Sequence, residues 1–186
     1  MDDDADPLIL TLALDEASFG RLDALRREHF PPHLNRIPAH VTLFHHLPGE
    51  EAGAVAETLA RACAGQGAST VRLTGLMPLG RGVAIRLGAP EVAGLRGRLA
   101  REWDGWLRPP GLPHVTVQNK VTPAQARDTL ARLAVGFAPW DARAEGLLLW
   151  RYRGGPWEAA GRFPFTGAEA SRDAEGSGLA RGARGP

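Results

Sequence analysis

A short phrase that occurs twice, once in each half of the sequence, constrains this chain more than any other feature. The copies span residues 38–43 and 112–117, and each places a histidine and a threonine two positions apart in an apolar run behind a proline. Alternate side chains of a strand point to the same face, so each histidine is expected to project together with its threonine. The duplication predicts a repeated structural unit whose two copies share one functional site.

The two histidines of the phrase, His40 and His114, suit acid–base chemistry. Imidazole has an unperturbed pKa of about 6.5, so its neutral and protonated forms are both accessible near neutral pH. Two imidazoles that face one cleft supply a general base and a general acid without a metal. A metal site would have to combine His40 with His45 and His46, but no carboxylate or cysteine stands at ligand spacing. The sequence therefore predicts neither a metal nor a cofactor.

Hydrophobic periodicity predicts a similar order of elements around each copy of the phrase. Strands are expected over residues 8–14, 40–47, 70–76, 83–87 and 114–121, with a final hairpin at 147–151 and 161–165. Helices are expected over residues 15–28, 50–64, 90–107 and 122–135, with Asp15 and Thr122 as N-caps. This order predicts an α+β fold of two pseudo-symmetric lobes, each an antiparallel sheet with helices on its outer face, and an active-site groove between them.

Composition is consistent with one domain flanked by two short tails. The 186 residues, 44% of them apolar, suffice for a single core. Residues 1–7 are predicted to be an acidic tail, residues 8–165 the bilobal domain, and residues 166–186, which carry few apolar groups, a disordered tail. No apolar run reaches the ~18–20 residues of a membrane span, and the acidic start does not resemble a signal peptide. With Cys63 as the only cysteine, no internal disulfide is possible and a cytoplasmic location is expected. The absence of heptads and of a long apolar surface helix makes a monomer the expected state.

The charge distribution favours a small anionic partner. The net charge is only +1, because the acidic first residues offset a mildly basic body. Such a body suits an anionic substrate, but it lacks the dense basic stripe of a protein that binds long duplex DNA. The sequence thus predicts neither membrane binding nor duplex DNA binding.

The two phrases resemble the paired His-x-Thr motifs of a known family, the 2H phosphoesterases. Its best-known branch is the bacterial 2′-5′ RNA ligase-like and cyclic phosphodiesterase group. The resemblance rests on His-Val-Thr-Leu-Phe at residues 40–44 and His-Val-Thr-Val at residues 114–117, and it covers residues 8–165. It implies a two-lobed α+β structure with a pseudo-twofold axis, in which each lobe contributes one motif to a central groove and no metal is needed.

The resemblance implies roles for four side chains. His40 and His114 look like the acid–base pair, and Thr42 and Thr116 look like the hydroxyls that bind the non-bridging oxygens of a phosphate. Many relatives carry an arginine shortly after the second motif, where this chain has Gln-Asn-Lys at residues 118–120.

Strand alternation predicts that Gln118 and Lys120 share the face of the second motif. We therefore expect Lys120 to contact the phosphate in place of the arginine, although as a point charge rather than a bidentate fork.

The function that these expectations imply is a metal-independent phosphodiesterase that opens 2′,3′-cyclic phosphates on RNA ends or small cyclic nucleotides. Run in reverse, the same pair would join RNA ends through a 2′-5′ bond. The alternative is a non-catalytic binding module for phosphorylated nucleotides or RNA ends. A histidine-based nucleotide hydrolase that forms a phosphohistidine is a third hypothesis, and it lacks the usual His-x-His-x-His arrangement.

Several side chains near the motifs have open roles. By alternation His46 is expected to line the groove and His45 to lie on the packed face, while Phe44 either borders the substrate or packs in the core. The aromatic cluster near the C-terminal hairpin, which comprises Trp150, Tyr152 and Trp157, either stacks on a base or packs against the protein.

Overall fold

The computed structural model describes residues 6–103 and 113–168, and these fold around one hydrophobic core. The described helices are Glu16–His29 (α1), Ala52–Ala64 (α2), Pro90–Glu102 (α3) and Pro123–Gly136 (α4), with short 3-10 helices at Pro32–Leu34 and Gly49–Glu51. The described strands are Leu8–Leu14 (β1), Val41–Leu47 (β2), Ser69–Pro78 (β3), Val83–Gly88 (β4), His114–Gln118 (β5), Trp140–Arg151 (β6) and Glu158–Pro164 (β7).

Three predictions concern residues outside these described ranges. Most of the tails predicted at residues 1–7 and 166–186 lies outside the described residues, and so does the end of the third helix that was predicted beyond residue 103. Among the helices described, none is both long enough and apolar enough to cross a membrane.

All strand pairs are antiparallel and belong to one sheet, in the order β1-β2-β5-β4-β3-β6-β7. Because β1 also pairs with β6, six strands close on one another and β7 extends the sheet beside β6. The α+β class and the antiparallel sheet are therefore confirmed. The predicted division into two lobes, each with its own sheet, is not confirmed, since the strands form one continuous sheet.

The helices cover one face of this sheet and form the core with it. Alternate side chains of β1, Leu8, Leu10 and Leu12, belong to the same cluster as apolar residues of α2 and α3 such as Leu59 and Leu95. Each fully buried leucine contributes about 1.5–3 kcal/mol relative to an exposed one, so this face accounts for much of the stability. The side chains that alternate with these leucines lie on the opposite face of the sheet.

Reciprocal hydrogen bonds close the N-terminus of α4. The Gln125 N–H donates to Thr122 Oγ1 at 3.2 Å, and the Thr122 N–H donates to Gln125 Oε1 at 2.9 Å. Pro123 occupies the first turn, where its missing N–H costs nothing. The predicted N-cap at Thr122 is confirmed, and it starts the helix that follows the second motif.

Thr122→Ala should lower the free energy of unfolding by about 1 kcal/mol, because an orphan N–H of the first turn loses its acceptor. Thr122→Ser keeps the oxygen and should stay close to the wild type. Urea denaturation of the three proteins measures the difference. Equal losses in both variants would show that the cap is not what stabilises this end of the helix.

Candidate active site

The first motif lies where a loop enters β2. His40 directly precedes the strand, and Thr42 is its second residue. The His40 ring is oriented by its Nδ1 atom, which lies 2.9 Å from the Pro38 carbonyl oxygen. The Ala39 N–H donates to Asp23 Oδ1 of α1 at 2.9 Å, which ties the approach segment to that helix. Both motif side chains remain partly exposed, so a ligand can reach them.

The second motif is the start of β5, and one strand pairing joins it to the first. His114 is the first residue of β5, and Val115 pairs with Val41 of β2 in antiparallel register. Continuing that register by one residue in each direction sets His40 opposite Thr116 and Thr42 opposite His114. Directly opposite Cβ atoms lie about 4.5–5.5 Å apart and diagonal ones about 7–8 Å, so this register would bring the four side chains close to one another.

Each of the two motif strands has a β-bulge immediately after its threonine. Thr42 pairs with Thr11 of β1, but the next paired residue of β2 is Phe44, so Leu43 is extra. In the same way, Thr116 and Gln118 of β5 pair with two adjacent residues of β4, so Val117 between them is the extra residue. A bulge lets two consecutive side chains enter the core, and it reverses the alternation beyond it.

This reversal decides where the residues after each motif point. Phe44 is buried in the core, where its ring meets that of Trp103 edge-on at 5.2 Å between centroids. Gln118 is also buried, and its Nε2 donates to Thr129 Oγ1 of α4 at 2.9 Å. Core packing is therefore correct for Phe44, and the prediction that Gln118 shares the face of His114 is wrong.

Lys120 loses the geometric basis of its predicted phosphate contact. The strand was expected to run to residue 121, but β5 ends at Gln118, and Lys120 is exposed with a left-handed φ of 61°. Its N–H donates to Asn119 Oδ1 at 2.7 Å within that turn. Neither strand alternation nor the bulge brings its side chain to the face of His114, so a phosphate contact by Lys120 stays a prediction.

The register shifts in β2 change the expected position of one of two further histidines. His45 was expected on the packed face and His46 on the groove face. Both are exposed, and His46 leaves the strand conformation with a φ of 56°. The pKa of His45 is lowered by desolvation and then by the charges of His46 and His114. His45, predicted to be packed away, is thus an additional histidine within electrostatic range of His114.

Arg26 of α1 ties both motifs together, and the sequence analysis did not identify it. Its side chain is only 4% exposed, and Nη1 donates to the Thr116 carbonyl oxygen at 2.8 Å. Its Nε lies 2.9 Å from Asn35 Oδ1 and 3.2 Å from the Ile37 carbonyl oxygen. These contacts fix the loop that carries His40 against the strand that carries His114. No sequence signal distinguishes Arg26 from the solvated arginines usual in a last helical turn.

Desolvation is the main influence on the protonation of His40. It lowers the pKa of His40 to about 4, against the opposing effect of the hydrogen bond to Pro38. The charges of Arg26, His45 and His114 lower the pKa further. At neutral pH His40 is therefore unprotonated and able to accept a proton, and the effect of His114 shows that the motif histidines lie near each other.

Two of the three clustered aromatic residues lie beside His40. The Trp157 ring stands 4.7 Å from the His40 ring, tilted by 55°, and the Trp150 ring lies 6.2 Å from that of Trp157. Together they help to line a cavity of about 270 Å³ that His40 also borders. Tyr152 is exposed and is not among the residues that line this cavity, so of the three clustered aromatic residues the two tryptophans are placed to contact a ligand there.

Within residues 6–103 and 113–168, no three side chains of His, Cys, Asp or Glu are grouped so that they could hold a metal ion. The groups that the two motifs contribute are histidine rings and threonine hydroxyls. Such a set suits proton transfer at an oxyanion.

Comparison with known proteins gives a consistent result. The family model described as the 2′-5′ RNA ligase superfamily matches residues 14–156. No curated protein sequence matches the chain. Among solved structures, TT0787 of Thermus thermophilus has a TM-score of 0.55 at 20% identity and covers 88% of this chain and 100% of its own.

Two further solved structures are similar over nearly the same span. E. coli LigT has a TM-score of 0.58 at 20% identity, with coverage of 87% of this chain and 98% of its own. A protein described as a phosphoesterase has a TM-score of 0.61 at 20% identity, with coverage of 87% and 99%. At this level of identity the three structures establish a shared fold.

Proposed function

Because this chain belongs to the 2′-5′ RNA ligase superfamily, the family of 2H phosphoesterases, we propose that it is a metal-independent phosphodiesterase that opens 2′,3′-cyclic phosphates. Its substrates on this proposal are RNA ends or small nucleotides that carry the cyclic phosphate. The reaction is general acid–base catalysis by His40 and His114.

One observation carries the proposal: β2 and β5 meet at the pair Val41–Val115, which lies in the middle of both motifs. The antiparallel register turns two separate His-x-Thr sequences into one set of side chains on one face of the sheet. A histidine and a threonine then stand on either side of the same space. In-line displacement at phosphorus needs a proton acceptor and a proton donor on opposite sides, and on the proposal His40 and His114 fill these two positions.

The lowered pKa of His40 supports the role of base for this residue, which leaves the role of acid to His114. His40 is unprotonated at neutral pH, since its pKa is lowered to about 4 mainly by desolvation. His40 takes a proton from water as the water oxygen bonds to phosphorus. The bond between phosphorus and one ribose oxygen breaks, and His114 donates its proton to that oxygen. One water is consumed, the product is a phosphate monoester, and exchange with solvent restores both histidines.

The two threonines and a nearby positive charge would stabilise the negative charge on the phosphoryl oxygens. On the proposal, the hydroxyls of Thr42 and Thr116 donate to the non-bridging oxygens, where negative charge is greatest during displacement. Buried Arg26 adds a fixed positive charge, which also lowers the pKa of His40. These groups are held by the sheet and α1 before substrate arrives, so little reorganisation is needed in the transition state.

What relatives bind supports a nucleotide substrate. E. coli LigT has been solved in complex with 3′-AMP and in complex with ATP. A 3′-nucleotide is one of the two products that opening a 2′,3′-cyclic phosphate can give. Since the histidine pair acts in both directions, the same site would also join a hydroxyl of a second RNA to the cyclic phosphate.

The proposal is tested with an oligoribonucleotide that ends in a 2′,3′-cyclic phosphate, incubated with the protein in excess EDTA. We expect the ring to open at the same rate with and without the chelator, because no step uses a metal. Separation of 2′- and 3′-phosphate products by chromatography identifies the bond that breaks. A rate that collapses in EDTA and returns with a divalent cation would contradict the proposal. Binding of the RNA end without any product would favour the non-catalytic binding module instead.

A further inference from the structure

The cavity beside His40 is not used by the chemistry described above. It lies between the loop that precedes β2, the strands β1 and β6, and the loop that follows β6. Its volume of about 270 Å³ is just below the usual range of small-molecule sites, about 300–1,000 Å³. The cavity is therefore of a size for one flat ring system.

Aromatic and apolar side chains form its walls, and one of them is held rigidly. Trp150 Nε1 donates to Thr11 Oγ1 of β1 at 2.8 Å, which fixes the indole plane against the sheet. Trp157 lies between Trp150 and His40, and it leaves a partly exposed ring face at the cavity. Phe19 of α1 adds an exposed aromatic ring to the wall. Fixed aromatic faces of this kind suit a stacked planar ring.

The charges at the cavity indicate which planar ring it takes. Arg36 and Arg162 line it, both side chains are exposed, and no acidic residue is among the lining residues that the structure describes. Arg162 of β7 is placed by its pairing with Leu148 of β6, which also lines the cavity. An aromatic cavity with positive charge at its rim suits a ligand in which a planar ring is joined to an anionic group, and a nucleotide, with its base in the cavity and its phosphate outside it, is such a ligand.

We propose that this cavity, between Trp150 and Trp157, is a subsite for the nucleobase of the nucleotide whose phosphate is bound at the two motifs. The inference rests on the proposed function, which puts the phosphate of the nucleotide beside His40, a residue that also borders the cavity. The contact between Trp157 and His40, 4.7 Å between ring centroids, makes the two sites continuous. The enzyme should then discriminate between nucleotides and phosphodiesters that lack a base.

A pair of ligands that differ only in the base tests this subsite. Adenosine 3′-monophosphate and methyl riboside 3-phosphate carry the same sugar and phosphate, and calorimetry gives their dissociation constants with the full-length protein. The wild type should bind the adenosine compound about 5- to 150-fold more tightly, which is the worth of stacking one base. Trp157→Ala should bring this ratio close to one, while Trp157→Phe should retain part of it.

The control replaces a tryptophan that lies outside the cavity. Trp140→Phe changes a ring that packs against Phe137, 5.9 Å between centroids, and under Arg21. It should leave the ratio unchanged, whereas a general loss of folding would lower the affinity for both ligands alike. Using a ratio makes the result independent of any change in phosphate binding.

The outcomes separate this inference from the proposed function. Equal affinity of the wild type for the two ligands, or a ratio that survives Trp157→Ala, overturns the subsite even if cyclic phosphates are opened. Base-dependent binding that is lost in Trp157→Ala supports the subsite even if no ring opening is found, and in that case only the proposed reaction fails. Absence of binding by either ligand overturns the subsite as well.

Discussion

Replacing His114 with alanine is expected to slow the opening of a 2′,3′-cyclic phosphate by about 10²- to 10⁴-fold, because the leaving ribose oxygen loses its proton donor. His40→Ala should cause a loss of similar size through the missing base. Initial rates at saturating substrate measure both effects. The expected loss is in kcat rather than in KM, since proton transfer occurs only on the way through the transition state.

The matched control is His33→Ala, which removes an exposed histidine of the short 3-10 helix Pro32–Leu34 and should leave the rate unchanged. The pH dependence gives an independent check on His40. As the pH falls through about 4, His40 gains a proton and can no longer accept one from water, so kcat/KM should fall there rather than near 6.5. A histidine variant with wild-type rate would exclude that histidine from the reaction.

The second large effect is expected at Arg26. Arg26→Met fills a similar volume but leaves Asn35 Oδ1 and the carbonyl oxygens of Ile37 and Thr116 without their donor. A buried acceptor that loses its partner costs about 1–3 kcal/mol, so the variant should lose about 3 kcal/mol or more of unfolding free energy. Chemical denaturation measures this, and kcat should fall because the two motifs are no longer held together.

The titration of His40 is a second measurement of the role of Arg26, separate from the free energy of unfolding. The charge of Arg26 lowers the pKa of His40, so the pKa should rise in Arg26→Met, as followed by NMR of the imidazole. The control Arg27→Met removes the neighbouring arginine, 68% exposed and paired with Asp23 at 3.3 Å, and should cost less than about 0.5 kcal/mol. An Arg26 variant with unchanged His40 titration would limit that arginine to a packing role.

Local pattern was enough to predict most elements of this fold and the pairing of the motifs. Strand β1, the caps of α1 and α4, and the pairing of the two motif strands follow from periodicity, cap chemistry and the repeated phrase. The strand and the caps are each encoded within a few residues, and the motif pairing is indicated by a phrase that occurs twice. Closure of the sheet through β1 and β6 joins residues far apart in the chain, and no local pattern contains that information.

The errors after each motif have one common physical origin. A bulge inserts a residue without a sequence mark of its own, because Leu43-Phe44 and Val117-Gln118 can be read as alternation or as two inward side chains. The assignments of Gln118 and His45 depended on alternation and failed with it. Arg26 was missed for a different reason, since its buried acceptors come from a loop and a strand whose positions are known only in the folded chain.

The join between β2 and β5 has a mechanical consequence. It consists of a single hydrogen-bonded residue pair, Val41–Val115, whereas β1 and β6 are paired along the whole of β1. Both valine side chains are fully buried, so this seam is held by apolar packing more than by hydrogen bonds. Apolar contact has no preferred direction, so the register of the two strands depends on how closely the surrounding side chains pack on these valines. The distance from proton acceptor to proton donor is therefore set by the packing around these two valines together with the hydrogen bonds of Arg26.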